Sequence, residues 1–159
     1  TYIEQDEKEI GTGHALYLAR NFLSHKRFVA LYGDILAEIN LKDCVEYHTS
    51  SNALATVALT SIKYPSFYGV AKLRGEKVVE FTEKPKEKDA LSRVISAGIF
   101  CFEPEIFSQL SPAKDLALER DVFPKLAKEG KLTGYVFEGK WFDIGTPEIY
   151  AKATREWGK

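Results

Sequence analysis

Methionine is absent from the 159 residues, and cysteine occurs only twice. With Thr1 in first place, the sequence does not open at a translation start and reads as a fragment of a longer protein. Cys44 and Cys101 lie in separate elements without a close-spaced metal-ligand pattern. That excludes a disulfide-dense scaffold or a thiolate metal knuckle, and both are expected to be buried free thiols. An excess of positive charge is missing too: 22 Lys and Arg against 23 Asp and Glu leave a net charge of −1. Such a balance gives no footprint for displacing phosphate counterions, so nucleic acid and anionic membranes are excluded as partners. No run approaches the roughly 20 apolar residues of a bilayer span, and no signal-like segment opens the chain, so a cytoplasmic protein is expected. Internal repeats and low-complexity tracts are lacking. So is a Ser or Cys nucleophile motif, which leaves His14 as a local hydrogen-bonding residue rather than a catalytic base.

The 45% hydrophobic and 28% charged content, mixed in sign, describes one globular domain. Thr1 to Gln5 looks like a short strand, and Asp6-Glu7-Lys8-Glu9 like a charged loop leading through Ile10 to Gly11-Thr12-Gly13-His14. From there Ala15, Leu16, Leu18, Ala19, Phe22 and Leu23 recur at helical spacing, with Thr12 as the expected N-cap. Phe28 to Tyr32 is an uninterrupted apolar run ending in Gly33-Asp34, expected as a strand buried on both faces that carries a carboxylate to the edge of a parallel sheet. A helix over 41–50 and a strand over 53–60 continue an alternating α/β pattern. A hairpin turning at Arg74-Gly75-Glu76 follows, then a loop at Lys84 to Asp89 and a long strand over 94–102 that contains Ser96-Ala97-Gly98. Helical stretches are expected over 104–110 and 119–128, and strands over 132–138 and 140–144. Thr146-Pro147-Glu148 opens a last helix with an N-cap, a proline at N1 and a first-turn acid.

Several of these positions bear both a structural and a functional reading. Gly11-Thr12-Gly13 suits a tight turn between strand and helix, or a bare helix N-terminus that seats an anion or a nucleobase. Asp34 suits a turn former, or a carboxylate that holds Mg²⁺ and substrate phosphates; Asp143 suits an accessory helix cap, or the second such carboxylate. Glu83-Lys84-Pro85 reads as a charged loop when taken alone, and Tyr68 beside Gly69 as core or as the wall of a sugar pocket. The central expectation is that Asp34 and Asp143 meet in space and hold one Mg²⁺ against a nucleotide's phosphates.

The order of the signals discriminates better than any one of them. Gln5, Gly11-Thr12-Gly13-His14-Ala15-Leu16, Tyr32-Gly33-Asp34, Tyr68-Gly69-Val70, Glu83-Lys84-Pro85, Ala97-Gly98-Ile99 and Trp141-Phe142-Asp143-Ile144-Gly145-Thr146 together resemble the sugar-1-phosphate nucleotidylyltransferase family. The resemblance implies an α/β domain with a Rossmann-like mixed, mainly parallel sheet flanked by helices, here truncated at its N-terminus. It implies formation of an NDP-sugar and pyrophosphate from an NTP and a sugar 1-phosphate, with Mg²⁺ as cofactor. By motif position, Gln5, Gly11, Thr12 and Gly33 would bind the nucleotide. Asp34 and Asp143 would hold Mg²⁺ and, with Lys84, form the catalytic set. Tyr68, Gly69, Glu83 and Ser96 would bind the sugar; many members carry Asn at the Ser96 position. Members open with a glycine-rich loop carrying an Arg, followed by a Lys-Pro pair. This chain has neither, so it resembles the C-terminal two-thirds of such an enzyme and is expected to have little activity alone. A homo-oligomer is compatible with the resemblance. A glycosyltransferase of related fold and a non-catalytic nucleotide-sugar-binding subunit are the competing readings. Thymidine, uridine and guanosine versions share the motifs, so base and sugar stay open.

Overall fold

Strand β6 (Val94–Phe102) is buried from its second residue to its last, so both of its faces are covered. The computed structural model describes residues 1–6, 8 and 11–158 and places β6 beside three other strands. On one edge β3 (Ala55–Ser61) runs antiparallel to it along its whole length. The other edge is shared. Strand β1 (Phe28–Leu31) pairs with residues 99–102, and β4 (Gly69–Arg74) meets it at Ile95. Between these two partners Ser96, Ala97 and Gly98 face a gap.

The sheet order is β1-β6-β3-β7-β5-β4, and the contact between β4 and β6 curls the last five strands into a barrel-like closure. Strand β5 (Lys77–Glu83) forms the expected hairpin with β4, and β7 (Leu132–Val136) lies between β3 and β5. Among the described residues only β3 and β7 pair in parallel; the other pairings are antiparallel. The sheet is therefore mixed and mostly antiparallel, against the expectation of a mainly parallel one. The helix α3 (Leu41–Ser51) does carry β1 to a strand of the same direction, β3, but the antiparallel β6 lies between the two.

Two further expectations fail. Strand β1 is not buried on both faces: Phe28 is buried, Val29 and Ala30 are half-buried and Leu31 is 52% exposed, because among the described residues only β6 lies beside it. Residues 1–5 form no strand, and Tyr2 stands fully in solvent with no partner strand to recruit it. The charged loop expected at Asp6 to Glu9 and the lead through Ile10 lie partly outside the described residues, at Glu7, Glu9 and Ile10. Conversely, a strand not anticipated, β2 (Ile35–Ala37), follows directly on Asp34. It pairs with β8 (Trp141–Asp143) in a separate two-stranded sheet, Ile35 opposite Asp143.

The helices α3 and α5 (Pro147–Glu156) obey their local signals, α1 (Thr12–Leu18) does not, and the helical stretch expected over 104–110 is a 3-10 helix, Pro104–Gln109. Asn40 caps α3 by accepting from Lys42 N and Asp43 N, and the Thr146 hydroxyl accepts from Ile149 N at the start of α5. In α1, Gly11 is the N-cap, and Thr12 caps nothing because its hydroxyl is engaged elsewhere. A break at Ala19 separates α1 from α2 (Arg20–Leu23). The stretch over 119–128 divides into a π-turn, Leu118–Val122, and α4 (Phe123–Lys128), with Pro124 in the first turn of α4 where its missing donor costs least. Phe123 packs against Phe81, Phe100 and Phe102 with ring centroids 5.3 to 6.4 Å apart, and this aromatic knot is the centre of the core. Cys44 and Cys101 are buried free thiols, 3.7 Å apart at sulfur. Among the described residues no helix is long and apolar enough to cross a membrane.

Candidate functional site

The gap in the edge of β6 opens into a cavity of about 160 Å³, walled by residues of several elements that converge there. From β1 and its exit come Tyr32 and Asp34; from the hairpin, Tyr68, Gly69, Glu83 and Lys84; from β6, Ser96 and Gly98; from β8, Trp141 and Asp143. The backbone shapes the opening. Gly98 has φ +72°, its carbonyl accepts from Tyr32 N (2.9 Å), and a β-carbon on it would sit 2.9 Å from both Ile35 Cγ1 and Tyr32 Cδ2. The carbonyl of Ala97 accepts from the Trp141 indole (3.0 Å), which in turn meets the Tyr68 ring edge-on. The β3–β6 register shifts between Val57 and Leu59, opposite this same stretch of β6.

The pairing of β2 with β8 brings the two aspartates together. Asp34 precedes Ile35, which lies opposite Asp143, and Ile144 N donates to the Asp34 carbonyl (2.8 Å). A β-carbon on Gly145 would lie 3.2 Å from Asp143 Oδ1 and 3.3 Å from Asp34 Oδ2, so the two oxygens flank one small space with only a glycine in it. Asp143 Oδ1 also accepts from Gly145 N (3.2 Å), which fixes one carboxylate in place. Two hard oxygen donors beside open space suit Mg²⁺, which takes one or two carboxylates and completes its shell with water and substrate phosphate. Among the described residues no group of three or more His, Cys, Asp or Glu forms a self-sufficient metal cage.

Glu83 and Glu119 line the same cavity, near enough for their charges to interact. Burial, and after it the charge of Glu119, raises the Glu83 pKa, while nearby Lys84 (Nζ to Oε1, 3.8 Å) pulls it down. Glu83 Oε2 is buried and accepts no hydrogen bond among the described residues, so a ligand hydroxyl would fit it. Gly69 is opposite Glu83 in the hairpin. A β-carbon there would fall 2.5 Å from Phe81 Cζ and 3.0 Å from Glu83 Oε2, so a side chain would displace both groups. Lys84 holds φ +44°, an uncommon conformation for a residue with a β-carbon, and its N–H donates to the Tyr68 carbonyl (3.1 Å). Ser96 is buried, and its hydroxyl accepts from Gly98 N (3.3 Å).

A second, more apolar cavity of about 310 Å³ lies across Tyr32 from the first, between α1 and the open side of β1, with Gln5, Gly11 and Thr12 on its rim. The glycines here do not keep the backbone bare for a ligand. A β-carbon on Gly11 would collide with the Leu116 carbonyl, and Gly13 N and His14 N both donate to that oxygen (2.8 and 3.1 Å). The glycines thus dock the loop onto residues 114–118, and the start of α1 has spent donors that an anion would need. Gln5 Nε2 donates to the Gly11 carbonyl (3.1 Å) and lies 3.2 Å from His14 Nδ1. Gly33 lines neither cavity and has open space around it.

Tyr32, Trp141 and Glu119, to which the sequence assigned no site role, also line the first cavity. Tyr32 and Trp141 carried a signal, since each stands two residues before a singled-out aspartate. Glu119 carried none.

The known nucleotidyl transferase family matches residues 1–159 of this chain. The chain belongs to that family. It is 33% identical over 156 residues to the mannose-1-phosphate guanylyltransferase 1 of Arabidopsis thaliana, covering 95% of this chain and 42% of the relative. The structure of a Bacillus anthracis protein assigned as a glucose-1-phosphate thymidylyltransferase superposes with TM-score 0.86 at 30% identity, over all of this chain and 67% of that one. A UDP-glucose pyrophosphorylase complexed with UDP-glucose shares the fold, with TM-score 0.84 at 24% identity, over 99% of this chain and 65% of that one. The nucleotidyl transferase chain thus spans less than half the length of the curated relatives it matches.

Proposed function

We propose that this chain supplies the metal and sugar-phosphate half of a sugar-1-phosphate nucleotidyltransferase, which makes an NDP-sugar and pyrophosphate from an NTP and a sugar 1-phosphate. The observation that carries the reading is the convergence of Asp34 and Asp143 beside Gly145 at the mouth of a cavity lined by Glu83, Lys84 and Tyr68. The cavity lies below the range of about 300–1,000 Å³ usual for drug-sized ligands, which suits one sugar ring.

The reaction needs no protein nucleophile: a sugar phosphate oxygen attacks the α-phosphorus in line and pyrophosphate leaves. Asp34 and Asp143 would hold Mg²⁺, which when bound offsets charge on the phosphate oxygens. Glu83 accepts from sugar hydroxyls through its free Oε2, and Gly69 leaves the room for them. Lys84, exposed at the cavity mouth, meets the sugar's phosphate and orients its oxygen for attack. Tyr68 and Trp141 wall the ring, and Ser96 lines the floor. Gln5, Gly11 and Thr12 border the nucleobase cavity; Gly33 acts only through the turn that presents Asp34.

The test uses the protein that carries this chain. Pyrophosphate release from a panel of NTPs with mannose 1-phosphate and glucose 1-phosphate should require Mg²⁺. Asp34→Asn or Asp143→Asn should lower it by about 100-fold or more. Near wild-type turnover in either variant removes the assignment. An NDP-sugar consumed without pyrophosphate formation indicates a glycosyltransferase.

A further inference from the structure

Glu119 is 8% exposed and lies 85 or more residues away in sequence from both groups its carboxylate joins. Oε1 accepts from the Tyr32 hydroxyl and Oε2 from the Thr12 hydroxyl (3.1 Å). Thr12 is itself fixed, since its oxygen accepts from Leu118 N (3.0 Å) next to Glu119. Tyr32 stands with its ring edge-on to Phe100 and is backed by Gly98. The chain Tyr32–Glu119–Thr12 is the partition between the two cavities: Glu119 borders the first, Thr12 the second and Tyr32 both.

A carboxylate is rarely buried unless its oxygens are matched by donors, and here each has one, drawn from opposite sides of a wall. Both donors belong to cavity linings. A ligand that bonds the Thr12 hydroxyl therefore acts, through Glu119, on the Tyr32 hydroxyl, and the reverse holds equally. Bonds in such a chain also polarise one another. Burial, and then the Glu119 charge, holds the Tyr32 phenol well above its ordinary pKa, so it remains the donor.

We infer that Glu119 is a positioning residue that couples the nucleobase cavity to the sugar cavity, so that each substrate binds more tightly when the other is in place. The inference rests on the substrate assignment proposed above. Linkage makes the effect reciprocal and measurable as one ratio, the affinity for nucleotide with the sugar 1-phosphate present over that without it.

Calorimetry on the protein carrying this chain tests it. The probes are the NTP and sugar 1-phosphate giving most pyrophosphate in the panel above, the NTP as its α,β-methylene analogue so that no turnover occurs. In the wild type, saturating sugar 1-phosphate should tighten nucleotide binding about fivefold or more. In Glu119→Gln, whose amide cannot accept from both hydroxyls at once, the ratio should fall below about twofold, as a coupling energy lost with its carrier. Tyr32→Phe removes one hydroxyl from the same chain; it should give the same loss and carries the test if Glu119→Gln does not fold. A residue that merely buttresses the fold would weaken both ligands and leave the ratio unchanged. An unchanged ratio in Tyr32→Phe, or a wild-type ratio near one with both ligands bound, overturns the inference. A protein that binds neither probe and releases no pyrophosphate overturns the proposed function instead.

Discussion

Replacing Gly98 by alanine should damage both fold and site, whereas the same change at Gly33 should damage neither. At Gly98 the backbone sits at φ +72°, and for an L-residue left-handed geometry costs about 1–2 kcal/mol. The added β-carbon would lie 2.9 Å from Ile35 Cγ1 and from Tyr32 Cδ2. Neither atom can yield freely, because Ile35 is paired opposite Asp143 and the Tyr32 ring is held by Phe100 and Glu119. Overpacking of this kind costs about 1–3 kcal/mol. The lower entropy of an unfolded chain with alanine returns about 0.4–1 kcal/mol, so the net loss is about 1–5 kcal/mol. For a domain of this size, at about 2–4 °C per kcal/mol, that lowers the thermal midpoint by about 2 to 20 °C. Moving Ile35 also moves Asp34 against Asp143, and a displacement near 1 Å can cost about 100-fold in rate. At Gly33 a β-carbon meets nothing within 4 Å, so the midpoint should hold or rise slightly. Scanning calorimetry and pyrophosphate release on the two variants read both effects. A Gly98→Ala protein that melts and turns over like Gly33→Ala would refute the reasoning.

Phe123→Ala removes the ring at the centre of the aromatic knot and should cost about 3–5 kcal/mol in denaturant unfolding. Thr146→Ala deletes the hydroxyl that caps α5 and should cost about 1 kcal/mol, measurable as a shift in the urea midpoint at constant slope. Glu83 has its pKa raised by burial and then by Glu119, so the folded state holds that proton more tightly than the unfolded chain. Its ionisation therefore destabilises the protein once pH rises above the ordinary carboxyl range. Glu83→Gln should then melt higher than wild type at neutral pH, with the advantage vanishing in acid below the unfolded glutamate pKa, while activity falls. A melting difference independent of pH would count against that cause.

Local chemistry was legible in the sequence wherever one stretch decides its own conformation. The apolar run at 94–102 became β6 with the same limits, the hairpin turned at Gly75, and Thr146-Pro147-Glu148 opened α5 as its cap, proline and acid dictate. The ordered motifs from Gln5 to Thr146 pointed to the family to which the chain belongs. Strand order was not legible. An alternating α/β pattern fixes that β1 and β3 run the same way, but whether they touch depends on β6, whose insertion between them is a matter of burying its two apolar faces. Nor could three residues, Ile35 to Ala37, announce themselves as a strand, since so short a segment gains its hydrogen bonds only from β8, more than a hundred residues away. That pairing is what sets Asp34 beside Asp143. Glu119 was silent for the same reason: a carboxylate takes its meaning from the donors around it, and Thr12 and Tyr32 reach it only once the chain has folded.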